Sequence, residues 1–314
     1  MIIIAIKLLR LGVRFLCCKN VVSFYTFLVV LKGILMPELP EVETVKNEIA
    51  QFFGKTKIVV IKIYNRSLRE KIADGIESKI AGSDIVNYER RGKYIPMNLN
   101  NGYSLVWHLG MSGRIKLFRE KNVELVKHDH IVMKTENGVL VYNDPRRFGL
   151  FNCLKTDDIK NSKYFGKMGI DPFDINFDAD YLFLHLNKKK LPIKVALLDQ
   201  SIVNGIGNIY ASEVLYDAKV SPLRNANEIK LDECAKIVVS IRKILSSAIK
   251  NGGSTLRDYH KTDGSVGHFQ NLHCVYNKSG QKCPECRCNI LNDGGIKKIV
   301  QAGRSTFYCD ILQK

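Results

Sequence analysis

The chain is 314 residues long, 46% hydrophobic and 25% charged, with a formal net charge of +17. Its length and apolar content suit two domains with real cores plus small appendages. Nine cysteines, an odd count without a clean secretory signal, argue against a disulfide scaffold and for a reducing compartment with metal use.

An apolar prefix, residues 1–36, comes first. It carries Lys7, Arg10, Arg14, Lys19 and Lys32 and no acid. Its longest uncharged run, residues 20–31, is shorter than the ~20 residues that span a bilayer. It also lacks the order of basic start, apolar middle and small-residue cleavage site of a signal peptide. Three readings follow: a start codon placed upstream of the true one, a removed targeting segment, or a membrane-associating arm. Five of the seventeen net positive charges lie here, which leaves +12 on the other 278 residues. The basicity therefore belongs to the body and suggests a polyanionic partner, nucleic acid first. Plain solubility charge is the alternative.

PEVETVKNEIAQFF places Val42, Val45, Ile49 and Phe52/Phe53 at helical spacing, with proline at its start. KIVVIKIY, YSLVWHLG, HIVMKT and GVLVYND then predict short strands. Asn101-Gly102 and Asn137-Gly138 mark hairpin turns between them. Many short strands beside one long helix predict a β-sandwich flanked by helices over residues 37–167. From about Asp178 the texture becomes helical, with YLFLHL, ALLDQSIV, IYASEVLYDA and LDECAKIVVSIRKILSSAIKNGG, the last ending at a Gly-Gly stop. The tail from Leu272 is short, Cys-rich and hairpin-like.

Seven stretches carry a resemblance. They are MPELPEVET from Met36, HLGMSGR from His108, HDH from His128, NDPRRFG from Asn143, GIGNIYASE from Gly205, GGSTLRD from Gly252 and GRSTFYC from Gly303. In this order, from Met36 to the C-terminus, they resemble the formamidopyrimidine-DNA glycosylase family, bacterial enzymes that remove oxidised purines. The resemblance implies an α+β fold. An N-terminal β-sandwich flanked by helices would cover 37–167, a linker and helix–two-turn–helix element 168–271, and a zinc-finger-like β-hairpin 272–314. It implies a monomer without a small-molecule cofactor, acting on double-stranded DNA that contains oxidised bases. The setting would be the bacterial cytoplasm, at the nucleoid.

The chemistry turns on Pro37. An α-amino group titrates near ~7.7–8.0, so a free N-terminal proline is partly neutral at physiological pH. That secondary amine can attack the sugar carbon bearing the damaged base, and its adduct is a cationic iminium that acts as an electron sink. Were Pro37 internal, its nitrogen would be an inert amide; on its own it reads as a helix-start proline. By resemblance Glu38 donates a proton in opening the deoxyribose ring, which requires a raised pKa. Glu43 stands as a supporting residue only. By resemblance too, Lys93 is the active-site lysine, and Arg304, at the tip of the tail hairpin, serves the second elimination.

Chemistry at C1′ requires the nucleoside to leave the stack. The resemblance makes Met111, Arg146 and Phe148 the wedge that fills the gap, with Arg146 hydrogen-bonding the orphaned cytosine. It places His128, Lys190 and Lys194 on DNA and Asn208 as a clamp on its backbone. His128 and His130 alternate as metal ligands would, but no third ligand has convincing spacing. Gly205-x-Gly207 lacks the third glycine of a dinucleotide fingerprint and reads as a turn opening a helix, whose free amides face a phosphate.

Cys283 and Cys286 form a metal half-site. The partner half is Cys309 with Leu312 where a fourth cysteine is expected, so one zinc ion would be held by Cys283, Cys286, Cys309 and an open choice among Cys288, Asp310 and water. The leading reading is a bifunctional glycosylase and abasic-site lyase. Its rivals are an oxidised-pyrimidine glycosylase of the same fold, and a silent lesion-DNA-binding protein if the prefix is retained.

Overall fold

The computed structural model describes residues 36–255, 261–287 and 289–314, and residues 35–314 form one compact unit. The three readings of the prefix, and the expectations on Cys288 and on the end of GGSTLRD, lie outside the described residues.

The first helix, α1 (Leu39–Phe53), buries Val42, Val45, Ile49 and Phe53 on one face, as the spacing predicts. Pro40 sits in its first turn, and it stops at Gly54, whose φ of +58° suits glycine. Then follow β1 (Thr56–Ile63), α2 (Ile76–Ile80), β2 (Asp84–Tyr88), β3 (Tyr94–Leu99), β4 (Tyr103–His108), β5 (Arg114–Phe118), β6 (Asp129–Thr135), β7 (Gly138–Asn143) and β8 (Leu150–Lys155). All pairings are antiparallel, in the order β5-β7-β6-β1-β2-β3-β4-β8. The Asn101-Gly102 and Asn137-Gly138 turns close the β3–β4 and β6–β7 hairpins.

β1 serves both halves of this sheet. Thr56 and Lys57 pair with β2, and Ile58 to Ile63 pair with β6 through a bulge between Ile58 and Val60. The bulge bends the ribbon, and the two halves close on one another as a sandwich. Trp107 of β4 meets Tyr142 of β7 at 5.7 Å between ring centroids, inside a core shared with the apolar face of α1.

The second half of the chain is helical: α3 (Ala179–Leu186), α4 (Ile193–Leu197), α5 (Asn208–Asp217) and α6 (Leu231–Lys250). Asp178 caps α3 by accepting from the Tyr181 amide at 2.8 Å. The ALLDQSIV helix is not formed: α4 ends at Leu197, and residues 198–206 are a loop. Polar side chains captured the backbone there. Asp199 accepts from the amide and hydroxyl of Ser201, while Gln200 bonds the carbonyls of Leu198 and Ile206 and the amide of Gly205. The tail adds α7 (Ile290–Asp293) and a hairpin of β9 (Lys297–Gln301) and β10 (Arg304–Tyr308). Ile296, Phe307 and Cys309 of this tail lie in the same core as the helices. Among the described residues no helix is long and apolar enough to cross a membrane.

Ile241 is fully buried on α6 within that core. Ile241→Ala should cost about 2–5 kcal/mol in urea unfolding. A loss below about 1 kcal/mol would contradict the packing described.

Candidate functional site

Two carboxylates at the start of α1 are buried against the helical half. Glu38 is 2% exposed. Its Oε1 accepts from the Ile209 amide at 3.0 Å and its Oε2 from that of Tyr210 at 3.4 Å, at the mouth of α5. The free amides of α5 therefore hold a carboxylate of this chain, and the expectation that they face a phosphate is corrected: Glu38 reaches them first. Glycine is required at the seat. A Cβ at Gly207 would fall 2.3 Å from Glu38 Cδ, and one at Gly205, whose φ is +85°, 2.6 Å from Leu39 Cδ1.

Glu41 is also 2% exposed. Its Oε2 accepts from the Glu38 amide at 2.9 Å, and its Oε1 accepts from the Tyr210 hydroxyl at 2.5 Å and the Ser254 amide at 2.7 Å. The Ser254 hydroxyl in turn lies 3.0 Å from Nε2 of buried His273. Burial, then repulsion from Glu38, push the Glu41 carboxyl up to about 7 against these hydrogen bonds.

Burial also raises the pKa of Glu38, against the pull of Lys93 and of the amides of Ile209, Tyr210 and Gly207. Burial lowers that of Lys93, with Glu38 drawing it back up and Arg304 adding to the drop. Lys93 stands in the tight 91–94 turn before β3. Arg90 braces this turn with ion pairs of 2.8 Å to Glu43 and 2.8 Å to Asp171, so Glu43 acts as a structural partner of Arg90.

Beside these groups lies a cavity of about 530 Å³, lined by Met36, Arg69, Lys93, Tyr94, His108, Tyr164, Lys167, Gly207 and Arg304 among others. The Met36–Pro37 junction thus borders the same space as Lys93 and Arg304, and Pro37 itself is buried. Arg304 is exposed on the β9–β10 turn, where Ala302 and Gly303 both take positive φ. His108 had no assigned role, although HLGMSGR marked it. Its Nδ1 accepts from the Gly110 amide at 2.9 Å, so its proton sits on Nε2. Burial, then Arg69 and Lys93, push its pKa down to about 3, leaving an uncharged donor in the cavity wall.

Lys194 is fully buried. Its Nζ donates to Asn208 Oδ1 at 2.6 Å, to the Ser305 carbonyl at 2.9 Å and to the Thr306 hydroxyl at 2.8 Å. Burial pushes it down to about 8, Glu38 opposing and Arg304 assisting. It joins the first residue of α5 to the strand that follows Arg304. Asn208 Nδ2 adds a bond of 2.9 Å to Ser305 O. Lys190 is exposed in the loop between α3 and α4.

Met111 lies on one loop, and Arg146 and Phe148 on a second that abuts it. At Gly110, with φ of +64°, a Cβ would strike the Phe148 backbone at 2.4 Å, so the loops touch through glycine. The Arg146 guanidinium lies 4.6 Å from the centroid of the Phe148 ring, and its buried Nη1 has no hydrogen-bond partner among the described residues. Phe148 is 45% exposed. Fully buried Asp144, which sequence reasoning missed, ties the loops together by accepting from the Ser112 hydroxyl at 2.5 Å and the Gly149 amide at 2.8 Å. His128 has a φ of +73° and is half-buried beside them; its ring lies 6.3 Å from that of His130, which instead bonds the Asp144 carbonyl at 2.8 Å.

In the tail, the Sγ atoms of Cys283, Cys286 and Cys309 lie within 4.8 Å of one another, and those of Cys286 and Cys309 are 3.5 Å apart. Zinc–sulfur bonds of about 2.3 Å in a tetrahedron set thiolates about 3.8 Å apart, so these three side chains fit three corners of a zinc site. Leu312 is half-buried against the helical core.

A strand sandwich and a helical half that meet over a buried Glu–Lys pair, beside a cavity ringed by cations, define an enzyme that handles a polyanion. The model of the formamidopyrimidine-DNA glycosylase N-terminal domain matches residues 36–151, and that of the H2TH domain of the same enzyme matches 168–260. Formamidopyrimidine-DNA glycosylase of Rhodospirillum rubrum is 40% identical over 89% of this chain and its own whole length. That of Wolbachia sp. subsp. Brugia malayi is 41% identical over 88% and again the whole relative. A Lactococcus lactis FPG mutant solved with Fapy-dG containing DNA superposes with a TM-score of 0.80 at 36% identity, covering 88% of this chain and 100% of that one. This chain belongs to the formamidopyrimidine-DNA glycosylase family.

Because the Glu41 pKa in the fold, about 7, exceeds the ~4.3 of an unfolded glutamate, the stability it supports is complete below about pH 4.3 and lost as pH rises through about 7. Glu41→Gln cannot titrate, so its unfolding free energy should fall by about 4 kcal/mol less than the parent's across that window. Urea melts of both proteins at several pH values measure this; parallel profiles would place the Glu41 proton elsewhere.

Proposed function

We propose that this protein is a bifunctional DNA glycosylase and abasic-site lyase that excises oxidised purines, 8-oxoguanine and formamidopyrimidines, from double-stranded DNA. The observation that carries the reading is the cavity that Met36, Lys93 and Arg304 line together, with the buried Glu38 carboxyl acting electrostatically on Lys93. Catalysis by amine needs Pro37 at the head of the chain. That the family model begins at Met36 supports a working form starting there.

In this mechanism the Pro37 nitrogen attacks C1′ and the bond to the damaged base breaks. Glu38 gives a proton to the ring oxygen, the sugar opens, and the nitrogen–carbon bond becomes an iminium. Its positive charge acidifies C2′–H; loss of that proton expels the 3′ phosphate, and a second elimination expels the 5′ phosphate. Burial raises the pKa of Glu38, which favours its acid form, and lowers that of Lys93, which eases release of its proton. Arg304 is assigned to the second elimination and Asn208 to the DNA backbone, with Lys194 holding both in register from beneath.

Met111, Arg146 and Phe148 fill the place of the extruded nucleotide. Arg146, whose guanidinium lies over the Phe148 ring, is assigned to the orphaned base. His128 and Lys190 take phosphates, and binding weakens as salt rises. Zinc, held by Cys283, Cys286 and Cys309, stabilises the tail hairpin. Oxidised pyrimidines form a second substrate class, because wild-type Lactococcus lactis Fpg, 35% identical with a TM-score of 0.79, has been solved on DNA containing one. The setting is the bacterial cytoplasm, and the protein works as a monomer.

Borohydride trapping on a duplex with 8-oxoguanine opposite cytosine tests the chemistry. A chain beginning at Pro37 should give a covalent adduct; one retaining residues 1–36 should bind the duplex and give none. Equal trapping of both forms would remove Pro37 as nucleophile.

A replacement at Lys194 separates positioning from contact. Lys194→Met should lower kcat on lesion DNA by about tenfold or more while leaving the salt slope of binding unchanged, since no phosphate contact is lost. A slope reduced by about one unit would make Lys194 a phosphate ligand instead.

A further inference from the structure

Two loops run between the same pair of sheet halves. Residues 109–113 join β4 to β5, and residues 144–149 join β7 to β8. Their ends are paired: His108 lies opposite Leu150, and Arg114 opposite Asn143. Each loop is therefore framed by strands that bond those framing the other. The Gly113 amide donates to the Leu109 carbonyl at 2.8 Å and closes the first loop around Met111. The Arg147 amide donates to the Asp144 carbonyl at 3.2 Å and closes the start of the second, ahead of Phe148.

Ser112 is where the loops join. It is 6% exposed. Its hydroxyl donates to Asp144 Oδ1 at 2.5 Å and accepts from the Arg146 amide at 3.1 Å. One oxygen thus bonds the second loop twice, from the residue next to Met111. Asp144 Oδ2 accepts from the Gly149 amide at 2.8 Å and from the Tyr142 hydroxyl at 3.3 Å. Phe148 is thereby fixed from both sides, through the amides of Arg146 and Gly149. The first loop is also tied to the cavity wall, because the Gly110 amide donates to Nδ1 of His108. A group that fills a gap in a duplex gains by being held in its bound place beforehand, since ordering it on contact costs conformational entropy. Without the Ser112 hydroxyl, the Asp144 carboxyl would be short of one donor and the Arg146 amide would lose its acceptor.

We propose that Ser112 is a positioning residue whose hydroxyl binds Met111, Arg146 and Phe148 into one preformed wedge, which enters the duplex as a unit when the damaged nucleotide leaves it. The proposal rests on the role proposed for those three side chains. Ser112 acts through them and not on the reacting atoms.

A duplex with 2-aminopurine beside 8-oxoguanine reports unstacking by its fluorescence, before any bond breaks. The parent, in the form that borohydride traps on DNA, should give a rise in stopped flow. Ser112→Ala should slow that rise, and single-turnover excision with it, by about tenfold. On a preformed abasic site, which has no base to unstack, its cleavage should stay within about threefold of the parent's. Ser112→Thr keeps the hydroxyl and should recover most of the lost rate. Equal slowing on both substrates would make Ser112 a merely structural residue and overturn the proposal. So would a parent-like rise in Ser112→Ala, or the absence of any rise in the parent. A parent that unstacks the duplex yet cuts neither substrate would sink the reaction at Pro37, while a slower rise in Ser112→Ala would still uphold the wedge.

Discussion

The structure depends on two carboxylates taken out of water. Glu38 and Glu41 leave the first turn of α1 and are received by α5 and by the loop after α6, through amides of Ile209, Tyr210 and Ser254 and the hydroxyl of Tyr210. An ionised carboxylate moved into a protein interior costs several kcal/mol unless hydrogen bonds replace its water. Here they do, and they come from the opposite half of the molecule. The contacts that fix sandwich against helices are therefore the ones that build the acid of the site.

This has an electrostatic consequence. Two adjacent anions in a dry seam would repel, and the rise of Glu41 to about 7 relieves that by letting one carboxyl hold its proton. Glu38 is drawn the same way by burial while Lys93 is drawn down, so both ionisable groups shift toward neutrality. The glycines answer to the same geometry. Gly207 makes room for the Glu38 carboxyl, and Gly253, with φ of +76°, lies where a Cβ would be 2.8 Å from Glu41 Oε1.

Much of the fold was legible because its signals are local. The apolar spacing of α1, the β-rich runs and the two Asn-Gly turns each act within a dozen residues. The 198–206 loop was not, since its apolar residues suit a helix and only the bonding of Asp199 and Gln200 decides otherwise. The amides of α5 were misread for a deeper reason: Glu38, their partner, is 171 residues away from Ile209. Asp144 escaped notice because a lone aspartate before a proline reads as a turn residue, and its three donors converge only once both loops are folded. Pro37, Glu38, Lys93 and Arg304 were named through family motifs; no periodicity or charge pattern singles them out. Leu312 was visible as a departure, whereas the bonds of Gln313 to the Cys309 amide and the Val220 carbonyl belong to tertiary structure.

The seating of Glu38 restricts how this protein can breathe. Any swing that parted α1 from the mouth of α5 would strip the carboxyl of its amide donors and flood it with solvent, returning it to an ordinary exposed acid. Admission of a bulky duplex must therefore leave that seam shut and be accommodated at the outer rim, where the tip of the Arg304 hairpin and the Phe148 side chain are exposed.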